Sequence, residues 1–450
     1  MMLQGWRWAL LTALSSCACL TGCEEGADPK EGDDAGVGAD MALAPDADTL
    51  GILSVQETAL AREMSPMPPI PGSPTNDYAD DPAAATLGQK FYFEADWAGP
   101  LQMDSRLGQE GEPGKVSCFS CHDDQTFGSA DNVGIGSRFH PRHAPGSVNA
   151  AWYADAGFTW RGRFDVMWAL PRAVFEAGAI FNSSRLRVAH VVFDQYRAEY
   201  DAVFGDHPLP DLADEARFPA TGKPGDESWD GMAPADQEAV NRIVANVGKA
   251  LEAYQRRLQR TESPFDRWVA GGEPLNEAAQ RGFSLFVGSA NCVLCHSGPF
   301  FTDLSYRNLG LAQTGPNVPE ADGGRFDAVG AIAGDPFNGI GAYSDDPAAG
   351  QPFIDGVEAQ TDALMGRFRV PTARNAAISA PYMHAGQLAD LRALVEFYDE
   401  GGGPAPTGVI DPSLVPLGLS ETEKNELIAF LMALTGDPVD PALTQNTANP

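Results

Sequence analysis

The sequence is poor in positive charge. Lysine and arginine number 30 against 62 aspartates and glutamates, a net charge of −32 over 450 residues. Such a chain repels phosphate backbones and anionic lipid, which argues against nucleic acid as a partner and against direct adhesion to a membrane surface. It would steer a basic partner toward itself, and the same acidity keeps a secreted protein soluble. Long apolar runs are missing too: Trp8 to Leu20 is mostly apolar but too short to span a bilayer well. Strand-like alternation is scarce. Cysteine is scarce, with seven in all. Cys17, Cys19 and Cys23 lie at the very start and the other four lie in two copies of one motif, so the body has none left for a structural disulfide.

The two copies are Ser117-Cys118-Phe119-Ser120-Cys121-His122 and Asn291-Cys292-Val293-Leu294-Cys295-His296. Each is a CxxCH. Two thiols at this spacing can add to the two vinyl groups of one haem, and the adjacent histidine then reaches the iron as an axial ligand. Local disulfides, or one zinc site built from both motifs, are the alternatives. A zinc site would not need a histidine in both places. The cofactors expected are two covalently bound haem c groups, attached through Cys118, Cys121, Cys292 and Cys295, with His122 and His296 on the metals.

Arg7 and the apolar run after it read as an export signal. It ends in Leu20-Thr21-Gly22-Cys23, which resembles a bacterial lipobox and implies cleavage before Cys23 and lipidation of its thiol. An ordinary cleaved signal peptide is the alternative. Either way the mature protein is exported, to the bacterial periplasm or cell envelope. We divide the chain into a lipoprotein-type signal peptide (1–22), a disordered acidic tether rich in Asp, Ala, Gly and Pro (23–80), an N-terminal haem domain (81–262), a C-terminal haem domain (263–440) and a tail (441–450).

The fold class expected is mainly α: two cytochrome c-like haem domains with long loops and few short strands. A short helix is expected near 85–93 and another over 184–204, stopped by Gly205. The clearest opens at Pro234, with Val240, Ile243, Val244, Val247, Leu251, Tyr254 and Leu258 at helical spacing. Asn276 and Asp390 cap two more, and Ser420 with Glu423 makes a capping box for a third. Residues 206–231 read as a surface insertion, and 315–350 as a long Gly/Asp/Pro-rich region with few packing residues.

Several motifs together resemble the bacterial di-haem cytochrome c peroxidase family, which includes MauG-like proteins. They are Asp104-Ser105-Arg106-Leu107, Trp160-Arg161-Gly162-Arg163, Ser263-Pro264-Phe265-Asp266, Cys295-His296-Ser297-Gly298-Pro299, Val370-Pro371-Thr372-Ala373-Arg374-Asn375 and Ala380-Pro381-Tyr382-Met383-His384. The resemblance implies that peroxide reacts at the haem of His122, that electrons enter at the haem of His296, and that Trp160 lies between them. It implies hydrogen peroxide and a small soluble electron donor, a cytochrome c or cupredoxin, as partners. A homodimer and one calcium ion near His143, Ser379 and Pro381 also belong to the expectation, although the family usually has asparagine where His143 stands.

The chain departs from that pattern at telling places. Breaking the O–O bond needs a group that moves a proton between the two oxygens. The family's glutamate position falls on Ile180 and an accompanying glutamine on Leu170. Glu176, one helical turn away, is the candidate substitute, against the alternative of an ordinary solvated carboxylate. His140 and His143 are loop candidates for a removable distal ligand, and an open iron is the alternative. Tyr398 falls at the sixth-ligand position of the second haem, where typical peroxidases have methionine and MauG-like proteins tyrosine; Met365 and Met383 are rivals. His190 and His207 have no expected haem role. The first expectation is thus a cytochrome-c peroxidase-type oxidoreductase. An oxidase of a protein or organic substrate, favoured by Tyr398, and a non-catalytic electron carrier or redox sensor, favoured by Ile180 and Leu170, stand behind it.

Overall fold

The computed structural model of the chain describes residues 49–123, 125–404 and 407–448. The expected signal peptide, the lipobox at Cys23 and the start of the tether lie outside the described residues. The fold is mainly helical, as expected. Among the described residues the one sheet is a two-stranded antiparallel ladder, Tyr306–Arg307 against Phe368–Arg369, with Tyr306 opposite Arg369. No described helix is long and apolar enough to cross a membrane.

Each CxxCH is preceded by a helix that crosses a longer one at a glycine. Helix Pro82–Phe93 crosses helix Pro234–Gln255 at Gly88, where a β-carbon would lie 1.9 Å from the Ala250 carbonyl oxygen. Helix Glu277–Val287 crosses helix Glu421–Ala433 at Gly282, where it would lie 2.0 Å from the Glu426 carbonyl oxygen. Only a residue without a β-carbon allows backbones this close. One turn beyond each glycine an aromatic ring meets its counterpart: Tyr92 lies 5.2 Å from Tyr254, and Phe286 lies 5.2 Å from Phe430. The Pro234–Gln255 helix forms because proline opens its first turn and its apolar positions share a face. Val240, Ile243, Val244, Val247, Leu251 and Tyr254 are all buried there.

Two cores result. Residues 87–258 supply most of one and residues 265–434 most of the other. Two of the motifs noted in the sequence meet in the second. Arg374 grips Asp266 with bonds of 2.7 and 2.8 Å, both side chains buried, and Ser263 caps the turn that presents Asp266. Burial alone would raise the Asp266 carboxyl, but Arg374 and Ser263 outweigh it and hold it below its usual value.

Residues 49–80, expected to be tether, are instead a strap across both cores. Ser54 and Glu57 form a capping box that opens helix Val55–Glu63, and Leu53, Ala61 and Met64 bury against the second core. The chain then runs along the first half. The Pro68 carbonyl accepts the Trp152 indole N–H at 3.2 Å, the Thr75 hydroxyl accepts that of Trp168 at 3.1 Å, and Asn76 donates to the Lys249 carbonyl and to Glu252, each at 3.2 Å. Individual polar bonds order this segment, so no apolar period marks it. The expected tail returns the gesture: Leu443 buries in the first core, and its carbonyl accepts the Tyr254 hydroxyl at 2.6 Å.

Three further expectations change. Residues 315–350 are packed: Phe337 and Tyr343 stack at 4.5 Å inside the first core, and Asp322, Asp335 and Asp345 pair with Arg142, Arg172 and Lys249. The insertion at 206–231 contributes Leu209, Leu212, Phe218 and Trp229 to that core. The helix expected over 184–204 is two helices, Arg185–Gln195 and Arg197–Val203, divided at Tyr196.

The glycine crossings generate a prediction. Gly88→Ala and Gly282→Ala each force two backbones apart, at about 1–3 kcal/mol of stability. Denaturant unfolding of each variant checks this; a midpoint equal to that of the parent would show that the crossings give way without strain.

Candidate functional site

The two CxxCH turns share one local design. Cys118–Cys121 forms a single helical turn capped by Ser117 and Ser120, and Cys292–Leu294 a tighter turn entered from Asn291 in the left-handed region. The His122 Nδ1 lies 2.6 Å from the Phe127 carbonyl oxygen, and the His296 Nδ1 lies 3.1 Å from the Phe301 carbonyl oxygen. A carbonyl only accepts, so Nδ1 carries the proton in both rings and Nε2 carries the lone pair. Phe127 and Phe301 hold φ of 54° and 53°, uncommon for bulky residues, and this aims each carbonyl back at its histidine. Tyr92 packs against His122 at 6.3 Å between ring centroids and Phe286 against His296 at 6.4 Å.

The four described thiols are unbridged. No three described His, Cys, Asp or Glu side chains gather as a metal site, which the zinc alternative requires. Burial pushes Cys118, Cys121 and Cys292 up to about 12, so these are thiols at neutral pH.

Around the second motif lies a mostly apolar cavity of about 300 Å³, lined among others by Cys292, Cys295, His296 and Tyr398. Tyr398 comes from helix Leu391–Asp399. Burial, and then the neighbouring Cys292 and Cys295, push its hydroxyl well above its usual value. Of the rival residues Met383 lies on the same wall, and Met365 does not. The cavity suits a c-type haem in three respects. Its lining is apolar, two thiols and a lone-pair nitrogen reach it, and a buried guanidinium nitrogen on its wall, the Arg369 Nε, has no partner. A macrocycle that is apolar in the middle and anionic at one edge answers all three.

Trp160 is held at the seam of the two halves. Its indole N–H donates to the His143 carbonyl at 2.9 Å, and its own carbonyl accepts the Arg369 N–H at 2.8 Å. His143 is buried, donates its main-chain N–H to the His384 carbonyl at 2.9 Å, and holds Nδ1 on the Asp131 carbonyl at 3.2 Å. His140 keeps Nδ1 at the main-chain N–H of Arg142, 3.2 Å away, and burial brings it down to about 4.

The structure separates Glu176 from the role expected of it. Ile180 packs on the loop that covers the first motif: its carbonyl accepts the Ser137 N–H at 2.6 Å, while the neighbouring Ile135 carbonyl lies 2.7 Å from the Cys121 sulfur. Glu176 turns elsewhere. Its carboxylate takes Arg185 at 2.6 and 3.1 Å and Arg172 at 3.4 Å, and Arg172 in turn pairs with Asp335 at 2.6 Å. A carboxylate clamped by two arginines is a poor proton carrier. Leu170 starts the same short helix and packs on the core.

Sequence reasoning missed Arg369, Tyr153 and the two phenylalanine carbonyls. The last had a signal: a phenylalanine follows the motif histidine by the same interval in both copies, His122 to Phe127 and His296 to Phe301.

With this geometry in view, comparison with known proteins is unambiguous: the chain belongs to the di-haem cytochrome c peroxidase family. The family model for di-haem cytochrome c peroxidases matches residues 82–274. A cytochrome-c peroxidase of Denitromonas iodatirespirans is 30% identical over 391 residues, 83% of this chain and 86% of that one. The methylamine utilization protein MauG of Methylorubrum extorquens is 29% identical over 81% of each chain. Among solved structures, a MauG-like protein associated with microbial copper homeostasis is similar in fold, with a TM-score of 0.58, 24% identity and coverage of 85% of this chain and 98% of that one. A di-haem peroxidase from Burkholderia thailandensis has the same TM-score at 19% identity, covering 86% and 94%.

The clamp on Glu176 generates a prediction. Glu176→Gln leaves two largely buried arginines short of a partner and lowers stability by about 1–3 kcal/mol, while peroxide turnover per haem stays within a factor of about three. A hundredfold loss of turnover at unchanged stability would restore Glu176 to the acid–base role.

Proposed function

We propose that the chain is an exported di-haem c-type cytochrome that reduces hydrogen peroxide to water, taking two electrons and two protons per peroxide, with the electrons from a small cytochrome c or copper protein. The observation that carries this reading is the duplicated imidazole setting around two CxxCH turns with Trp160 between the halves. Bound haem supplies the one-electron redox chemistry. The rest is the work of side chains. Cys118 and Cys121 would hold one group and Cys292 and Cys295 the other, with His122 and His296 as the ligands to the irons. The main-chain carbonyls of Phe127 and Phe301 fix both imidazoles in the ligating tautomer. Tyr398 would be a further ligand to the metal at the second site, a reading supported by its position on the cavity wall with His296. Ile180, on the loop that lies against Cys121, brings no titrating group of its own. The export signal and lipid anchor at Cys23 remain part of the proposal, as does the homodimer.

A second reading has its own support. Tyr398 as a ligand lowers the potential of the second site relative to a thioether, which suits oxidation of a protein or organic substrate.

Calcium does not fit the residues present. The ion takes about six to eight oxygen ligands. His143 offers nitrogen where the family usually has asparagine, both Asp322 oxygens hold Arg142, and no three described His, Cys, Asp or Glu side chains gather as a metal site. The seam is held by the protein's own groups. Chelation of the holoprotein with EDTA is therefore expected to leave its melting temperature unchanged; a fall of several degrees that calcium reverses sinks this view.

Steady-state peroxide turnover of the haem-loaded protein with a reduced small cytochrome tests the function, run beside Tyr398→Met. Turnover in the parent supports the peroxidase. No turnover, together with loss of a tyrosinate signature in the Tyr398→Met spectrum, supports the oxidase reading instead. Two six-coordinate haems inert to peroxide, with no tyrosinate signature, leave an electron carrier.

A further inference from the structure

Arg369 is the unbalanced charge of the cavity. Three arginines line it: Arg307, Arg369 and Arg374. Arg307 pairs with Asp411 at 2.8 Å and Asp303 at 2.9 Å, and Arg374 pairs with Asp266. The carboxylates on the wall are Asp322 and Asp411. Both Asp322 oxygens are taken by Arg142, at 2.6 and 2.8 Å. Arg369 is 6% exposed and has no carboxylate among the described residues. Its guanidinium carbon lies 3.5 Å from the centre of the Tyr153 ring, Nη1 donates to the Gly157 carbonyl at 2.6 Å, and Nε is unpartnered. A buried cation in this condition is strongly unfavourable unless an anion reaches it.

We propose that Arg369 is a carboxylate-binding site, and that the carboxylate is a propionate of the haem attached at Cys292 and Cys295. The proposal rests on the di-haem reading. The free edge of the guanidinium, Nε with Nη2, is the edge by which Arg142 grips both oxygens of Asp322, and it matches a carboxylate by two parallel hydrogen bonds. The main-chain N–H of the same residue donates to the Trp160 carbonyl. A propionate held here is therefore tied, through one residue, to the tryptophan at the seam. The guanidinium offsets the propionate charge, which otherwise favours the oxidised, more positive iron. Arg369 is thus a positioning residue that keeps the potential of the second site up.

The test is a spectroelectrochemical titration of holoprotein carrying Arg369→Gln or Arg369→Lys, with haem counted by intact mass. The expected result is that one of two potentials falls in Arg369→Gln, falls less in Arg369→Lys, and the other stays. The lysine variant also serves if the glutamine variant does not fold. Full haem loading with both potentials unmoved overturns the propionate. If formate then shifts the spectrum of the parent but not of Arg369→Gln, the site takes a free carboxylate; if formate shifts neither, no carboxylate binds there and the proposal fails. A parent protein that carries no covalent haem instead overturns the di-haem reading, and the propionate with it.

Discussion

An imidazole binds a metal through the nitrogen that carries no proton, and which nitrogen that is depends on what the other one touches. In this chain the other one touches a main-chain carbonyl in both motifs. The carbonyl points the right way because a phenylalanine accepts a left-handed backbone, at some cost in strain. The strain persists because the phenylalanine ring is buried in its core, Phe127 in the first and Phe301 in the second. Each imidazole has an aromatic ring tilted beside it, Tyr92 at 6.3 Å and Phe286 at 6.4 Å, from a helix that is pressed against its partner at a glycine. Core packing, turn conformation and tautomer are therefore one connected arrangement, built twice.

The two halves are laced rather than simply apposed. A strap from before the first half buries its helix in the second core, and the end of the chain buries Leu443 in the first. Between them lie the Arg142–Asp322 pair and the hydrogen bonds that run from His384 through His143 to Trp160 and on to Arg369. Electron transfer between two fixed groups requires a fixed separation. Straps at both ends and a polar seam in the middle contribute to it.

Much of this was legible in the sequence, and the exceptions share a cause. The motifs, the helix from Pro234, and the caps at Asn276, Asp390 and Ser420 all announce themselves by period or spacing. Residues 49–80 and 315–350 do not. They are ordered by single contacts: an indole on a carbonyl, a carboxylate on a buried arginine, two stacked rings. Composition reads such segments as solvated because each acidic residue looks alone until its partner, often more than a hundred positions away, is known. Glu176 misled for the same reason. Its distance from Ile180 along the chain was correct, and the arginines that claim it were invisible.

Under the proposed reading the chain keeps what delivers electrons, while the two positions weighed for proton delivery, Ile180 and Glu176, do not supply it. Proton transfer by a positioned side chain contributes roughly a hundredfold to ten-thousandfold to a rate. Ile180 cannot contribute it, and Glu176 is committed to Arg172 and Arg185. That magnitude decides what the site suits. Clearing a heavy flux of peroxide depends on fast O–O cleavage, and neither Ile180 nor Glu176 helps that step. Oxidising a partner in a slow, rare event, the second reading, tolerates slower cleavage and leans on a stable second site and a secure path between the halves. The chain has residues for both: a tyrosine on the wall of the second cavity, a tryptophan bonded to both halves, and a buried arginine bonded to that tryptophan.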